Sequence, residues 1–349
     1  DDRADVVKVV NDALTSFSRP FEVDGRELFI TASLGASLFP DNATTATDLI
    51  KQADSAMYLA KEAGRCTARF YDGTIHARVL ERLTLEQDLR QALAREEFHV
   101  ELQPIVDLPT RRINAAEVLL RWTHPVLGSV PPDRFIPIAE ELGIIVEISR
   151  WVLRNACRIV STIRGSGYPD FRLSVNLSAR DLYESDLLAF VGETLVEYGL
   201  SSDAIDVEVT EHVLLNDTAV RNLANLRALG IRVLIDDFGT GYSSLEYLKR
   251  LPVGAIKIDK TFISDVTRNT YDQAIVKAIT TLGQALHVPV IAEGLESESQ
   301  IEFVESLGCD QAQGYAFSRP IRLEAFMDLL PGRAMQKSRV IPLVRSNAS

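Results

Sequence analysis

The feature that most constrains this chain is a regular alternation between about His99 and Phe317, in which short apolar runs are followed by stretches with helical spacing. The runs are His99–Val106, Ala115–Arg121, Leu173–Leu177, Asp206–Thr210, Val233–Asp237, Ala255–Asp259, Pro289–Glu293 and Ala312–Phe317. Most are apolar on both faces, as parallel strands covered by helices must be. Between them, Ile136–Arg164, Asp186–Tyr198, Ala219–Leu229, Tyr271–Leu286 and Gln300–Leu307 carry apolar residues at helical spacing. Eight such units within roughly 250 residues predict an α/β fold of the TIM type, a (β/α)8 barrel. Asp107–Thr110 is too short for a crossover helix. The first strand pair is therefore expected to be antiparallel.

Residues 1–74 read as a smaller, partial α/β segment. Val6, Val9, Val10 and Leu14 mark one helix face, a hairpin around Gly25 leads into a strand ending at Leu34, and a helix over Asp48–Glu62 stops at Gly64. A helix from about Ile75 to Glu97, with Leu85, Leu89 and Leu93 four residues apart, connects this segment to the barrel. The barrel then spans 98–332, and 333–349 form a tail whose short apolar stretch is expected to fray.

Charge narrows the function. Lysine and arginine number 37 against 49 acidic residues, a formal charge of −12. Long nucleic acid needs a basic footprint and is not expected as a partner. A small nucleotide stays compatible, because bound cations reverse the local field of an acidic cleft. Cys66, Cys157 and Cys309 have no metal-like spacing and suit a reduced, cytoplasmic setting. No apolar run approaches the length of about 20 residues that a membrane helix needs, so no membrane contact is expected in this stretch. The absence of a starting methionine reads as a fragment, compatible with the cytoplasmic part of a larger, membrane-attached sensor.

Active sites of such barrels sit at the C-terminal strand ends. Those ends carry Glu117, Asn176, Glu208, Asp236 with Asp237, Lys257, Glu293 and Gln313 in otherwise apolar surroundings. One acid there is a cap or an ion pair; five converging on one mouth need another explanation. Two carboxylates about 4 Å apart repel by about 4 kcal/mol at an effective dielectric near 20. Hard divalent cations with oxygen ligands remove that cost, and carboxylate and amide oxygens suit magnesium, manganese or calcium. Glu117, Glu208, Asp236 and Asp237 would balance two such ions, a known device for cleaving phosphodiesters. Gly239 and Gly241 follow Asp237 closely, so a turn could bring both adjacent aspartates to metal. Lys257 supplies a compact positive charge for the phosphate or the attacking water. Glu293 either completes the metal shell or accepts a proton.

At these residues the chain resembles the EAL phosphodiesterase family over about Leu83 to Pro331. The naming motif reads Glu117-Val118-Leu119, followed by Leu120-Arg121-Trp122. Phe135–Glu141, Val175-Asn176-Leu177-Ser178, Glu208-Val209-Thr210-Glu211, Asp236–Leu245, Lys257–Lys260, Ala292–Glu296 and Gln313-Gly314-Tyr315 follow in order. The resemblance implies hydrolysis of cyclic di-GMP to linear 5'-pGpG by a two-metal-activated water. It implies that Glu117, Asn176, Glu208 and Asp236 hold one metal and Asp237 contributes to the second. Lys257 and Glu293 would serve the water, while Gln103, Arg121 and Gln313 hold the dinucleotide. Glu211 would brace the loop Phe238–Ser244, with Asp259 and Glu296 standing behind the ligands. A homodimer through the barrel is implied in the same way.

Two positions depart from the family pattern. Val118 replaces alanine, with its side chain expected to face away from the metal. Leu102 stands where tyrosine usually precedes Gln103-Pro104, which would remove a substrate contact. The opening segment resembles the second half of a GGDEF diguanylate cyclase domain, through Ser33-Leu34-Gly35-Ala36 and Ala53–Lys61. The glycine-rich signature of that domain is not among these residues, so cyclase activity is not expected here. The alternative reading is a catalytically weak or inactive receptor for cyclic di-GMP. Asp237-Phe238-Gly239 also occurs in kinases, but their other signatures are missing.

Overall fold

The computed structural model describes residues 3–17, 21–23, 26–28, 30–62, 66–240 and 253–330. The chain divides into two compact units, Asp1–Arg90 and Gln91–Ser349. In the first, helix α1 (Arg3–Phe17) precedes an antiparallel hairpin of β1 (Phe21–Val23) and β2 (Arg26–Leu28). Strand β3 (Leu34–Ala36) pairs in parallel with β4 (Ala68–Phe70), and α2 (Ala46–Glu62) lies between them in sequence. A Cβ on Gly35 would fall 1.9 Å from Ala53 O and 2.2 Å from Met57 N. The two fragments that carry the cyclase resemblance therefore meet backbone to backbone, which only glycine permits.

Helix α3 spans Gly73–Ala92, five residues short of the expected end at Glu97. Glu96 turns to φ 57°, and the Glu97 N–H donates to Ala92 O at 3.0 Å, closing the turn.

The second unit is the barrel. Its strands are β5 (Phe98–Asp107), β6 (Arg112–His124), β8 (Arg172–Asn176), β9 (Ile205–Thr210), β10 (Arg232–Phe238), β11 (Ala255–Ile258), β12 (Val290–Ala292) and β13 (Gln311–Ala312). They pair in that order, and β13 closes the ring on β5. The short β7 (Gly128–Val130) adds to the outside of β6. From β6 through β13 the ring pairs are parallel; β5 runs antiparallel to both neighbours. The short Asp107–Thr110 connection therefore does reverse the first strand, as a tight turn must.

Two expected elements differ. The helical pattern Ile136–Arg164 is two helices, α4 (Pro132–Leu142) and α5 (Ile145–Gly165). Gly143, at φ 77°, ends the first in the left-handed conformation that glycine adopts without strain. The last strand covers only Gln311–Ala312, not Ala312–Phe317. Beyond it the chain turns beneath Leu295, which donates to Gln313 O at 3.2 Å and accepts from Ala316 N at 2.8 Å. A Cβ on Gly314 would lie 2.2 Å from Leu295 O.

Inside the ring, Ile105, Leu234, Ala255 and Ile291 form an apolar cluster joined by Ala115. The strand period of two explains the pattern, since Gln103, Glu117, Asp236, Lys257 and Glu293 lie two residues from these and share their inward face. The barrel thus has an apolar floor beneath a polar mouth. Trp122 is fully buried among Phe98 and Phe135 and donates through Nε1 to Glu97 Oε2 at 2.8 Å. It is a core residue.

Candidate active site

Lys257 sits at the centre of the mouth. Its Nζ lies 2.5 Å from Glu293 Oε1, 3.3 Å from Asp236 Oδ1 and 3.4 Å from Glu117 Oε2, and it donates to Glu208 Oε2 at short range. Glu208 is 0 % exposed and Lys257 1 %. Glu117 is further held by Asn176 Nδ2 at 2.8 Å and by Gln313 Nε2 at 2.7 Å. The same Gln313 amide donates to Gln103 Oε1 at 2.9 Å. Seven of the residues expected at the mouth are thus drawn into one network with Gln103, from seven of the eight strands or their ends.

The electrostatics are unbalanced. Four carboxylates face one ammonium in a region shielded from water. Burial, then the neighbouring Glu117, pushes Glu208 well above the usual carboxylate range. Burial likewise raises Glu293 to about 8, against the pull of Lys257. Glu117 goes the other way. Burial opposes its charge, but Lys257 and the hydrogen bonds from Gln313 and Asn176 outweigh that and hold it low. Lys257 is kept well above its ordinary value, since Glu117 and Glu208 together overcome the penalty of burial. It therefore stays cationic at neutral pH.

The chain turns at the adjacent aspartates, and the two carboxyls take different partners. Asp237 adopts φ 52°, and the β10–β11 register shifts between Ile235 and Phe238. Asp236 stays with Lys257, and Asp237 donates its N–H to Asp236 Oδ1 at 3.0 Å. The Asp237 carboxyl meets Asp259, and burial, then Asp236, raises it to about 7. Left-handed backbone at a residue other than glycine is a local cost that the surrounding site must hold in place. Asp259 in turn caps the helix that follows it, accepting from Thr261 N at 2.8 Å.

Glu211 is buried outside this network and accepts from Gly239 N at 3.2 Å. It thus fixes the chain just after Asp237. The remainder of the segment Gly241–Leu245 lies outside the described residues. Glu296 is exposed, and its N–H donates to Gln300 Oε1 at 2.7 Å at the start of the next helix. The structure does not bring its side chain to the acids. Leu102 is fully buried on the strand face opposite Gln103, and its backbone pairs with Ile321 in both directions. Val118 is likewise buried on the face opposite Glu117.

Arg121 stands two pleats beyond Glu117 on the same face of β6. It donates through Nε to Glu101 Oε2 at 2.8 Å and through Nη1 to Leu120 O at 2.9 Å. Glu101 was not singled out from the sequence, although the period of two places it on the inward face with Gln103. Beside Asn176 and Arg121 opens a cleft of about 440 Å³, walled by apolar side chains that include Ile136, Ile145, Val152 and Leu177.

The donor set fits a hard divalent ion. It consists of carboxylate and amide oxygens, and Glu208 Oε1 is buried without a hydrogen-bond partner. The excess negative charge is the other half of that fit. As placed, the acids close on Lys257, and no three His, Cys, Asp or Glu side chains among the described residues form a ready-made metal-holding group.

Comparison with known proteins agrees with this geometry. The family model of the EAL domain matches residues 86–320, and that of the diguanylate cyclase GGDEF domain matches 1–67. The cyclic di-GMP phosphodiesterase NbdA of Pseudomonas aeruginosa is 39% identical over 319 residues, 91% of this chain and 41% of that protein. The bifunctional diguanylate cyclase/cyclic di-GMP phosphodiesterase MucR of the same organism is 39% identical over 326 residues, 93% of this chain and 48% of MucR. The chain thus spans less than half the length of these two relatives. A solved structure of the PaMucR phosphodiesterase in complex with c-di-GMP superposes with a TM-score of 0.68 at 42% identity, covering 70% of this chain and 99% of that one.

Proposed function

The chain belongs to the EAL domain family, and from that premise we propose that it hydrolyses cyclic di-GMP, opening one phosphodiester bond to give linear 5'-pGpG. The observation that carries this reading is the buried, cation-deficient cluster of Glu117, Glu208, Asp236 and Glu293 around Lys257 at the barrel mouth. Its excess of negative charge suits cations and a phosphodiester brought together, and suits a neutral ligand poorly.

Glu117, Asn176, Glu208 and Asp236 would hold one divalent ion, magnesium or manganese, and Asp237 would contribute to a second. Such ions acidify a bound water and steady the oxygens of the phosphodiester. Lys257 keeps a fixed positive charge beside the acids. Glu293, beside Lys257 at the mouth, would take a proton from water in its ionised form. Gln313, itself held by Gln103, orients Glu117 from the side, and Arg121 offers a guanidinium to a phosphate. The apolar cleft beside Asn176 is of a size that takes a nucleobase. Glu211, by holding Gly239, fixes the direction in which Asp237 leaves its strand.

A homodimer through the barrel and a cytoplasmic setting belong to the same proposal. Among the described residues no helix is long and apolar enough to cross a membrane.

The test is to incubate the purified chain with cyclic di-GMP and magnesium or manganese, with a chelator control, and to resolve the products. Linear pGpG formed only with metal supports the reading. Cyclic di-GMP that binds and survives intact would replace it with the receptor reading.

A further inference from the structure

The direct cross-strand neighbour of Arg121 on β5 is His99, yet its ionic partner is Glu101. Glu101 itself lies opposite Leu119, and Gln103 opposite Glu117. The Arg121 side chain therefore leans back by one pleat repeat, about 7 Å along the strand, toward the acids. Two anchors hold it there. Nε is engaged by Glu101 and Nη1 by Leu120 O, while Nη2 has no hydrogen-bond partner among the described residues. Without them an arginine at this position would be free to extend away from the cluster and into solvent.

We infer that Glu101 is a positioning residue, which draws Arg121 back along its strand toward the acid cluster so that its guanidinium meets a phosphodiester of the bound dinucleotide. The inference rests on the reading of the chain as a cyclic di-GMP hydrolase. The pair is about a quarter exposed on each side, 23% for Arg121 and 24% for Glu101, so it adds little to stability. Its effect is on orientation. A guanidinium already held in place loses less freedom when it engages a phosphate. His99 does not compete for Glu101 at neutral pH, because burial, then Arg322, keeps its imidazole below the usual range and neutral.

The experiment measures cyclic di-GMP turnover with magnesium for the wild type, E101A, E101Q, R121A and the E101A/R121A pair. E101A raises KM about tenfold, as loss of a positioned binding group does, and leaves kcat within about twofold. E101Q retains an oxygen acceptor for Nε–H and recovers most of the affinity. On the R121A background E101A adds nothing further, because the two act as one unit. A KM for E101A equal to or below that of the wild type overturns the inference, as does an undiminished E101A effect without Arg121. A wild-type chain that neither binds nor cleaves cyclic di-GMP fails at the earlier step, the proposed function itself.

Discussion

Asn176 donates through Nδ2 to Glu117 Oε1 at 2.8 Å, joining the ends of two neighbouring strands across the mouth. The amide carbonyl of Asn176 is left to face elsewhere, while Glu117 is fixed by Gln313 from its other side. Polar side chains of the mouth thus orient one another as well as Lys257. Their consequences can be measured one at a time.

Lys257 is the cation that compensates the buried acids in the metal-free chain. Substitution Lys257→Met leaves Glu208 without its ionic partner and should cost about 3–5 kcal/mol, read as a lower Tm in chelator. Added magnesium should restore part of that loss. A variant that melts with the wild type in chelator would show that the acids are not held by this ammonium.

The raised carboxyls predict a pH dependence of the metal-free chain. Glu293 is pushed from 4.5 to about 8 and Asp237 from 3.8 to about 7, in both cases chiefly by burial. Between those limits the folded chain keeps protons that the unfolded chain releases, so stability is full at acid pH and falls as pH rises. Melting curves in chelator should therefore show Tm declining from pH 5 to pH 8. Divalent cations, which favour the charged acids, should flatten the slope; a slope of the opposite sign would contradict the assigned shifts.

Asp237→Asn separates the role of the charge from that of the backbone. Asparagine tolerates the left-handed region well, so the φ of 52° is retained. Turnover of cyclic di-GMP should fall by about a hundredfold or more, as it does when a group stabilising the transition state is lost. The metal-free Tm should stay level or rise, because repulsion from Asp236 and Asp259 is removed. Near-normal rates would take Asp237 out of the proposed metal set.

Glu211→Ala removes the acceptor of the Gly239 N–H. An unsatisfied buried donor costs about 1–3 kcal/mol, and here the cost falls beside Asp237. The expected result is a drop in kcat with unchanged far-UV circular dichroism, with Glu211→Gln milder because its amide oxygen still accepts. Equal rates for both variants and the wild type would leave Glu211 a structural role only.

Leu102→Tyr restores the residue usual in the family. Because Leu102 is fully buried opposite the Gln103 face, the tyrosine should leave KM within about twofold of the wild type. It should instead destabilise by about 1–3 kcal/mol through overpacking. A several-fold lower KM with unchanged Tm would place this position at the substrate after all.

Much of this site was legible because two periodicities coincide. Apolar runs with a polar residue at the C-terminal end mark both the strands and the mouth, so Glu117, Glu208, Asp236, Lys257 and Glu293 announce themselves. The left-handed turn at Asp237 was also foreseeable from the nearby glycines. Other features depend on tertiary contact and leave little trace in the sequence. Gly143 divides one helical pattern into two, and β13 ends early where Gly314 approaches the backbone of Leu295. Glu101 could have been found by counting two back from Gln103. Its partnership with Arg121 could not, because it depends on a diagonal rather than a direct cross-strand neighbour. Glu296 precedes the helix that Ser297 caps, and its N–H is held by Gln300 Oε1.

The floor of Ile105, Leu234, Ala255 and Ile291 bears on traffic. Among the described residues, oily side chains close the barrel beneath the acids, so what reaches the mouth would arrive from above and depart the same way. A linear product carrying a new terminal phosphate would share that doorway with the next cyclic molecule and with the ions. Release, more than capture, is then the stage at which such a vessel would congest.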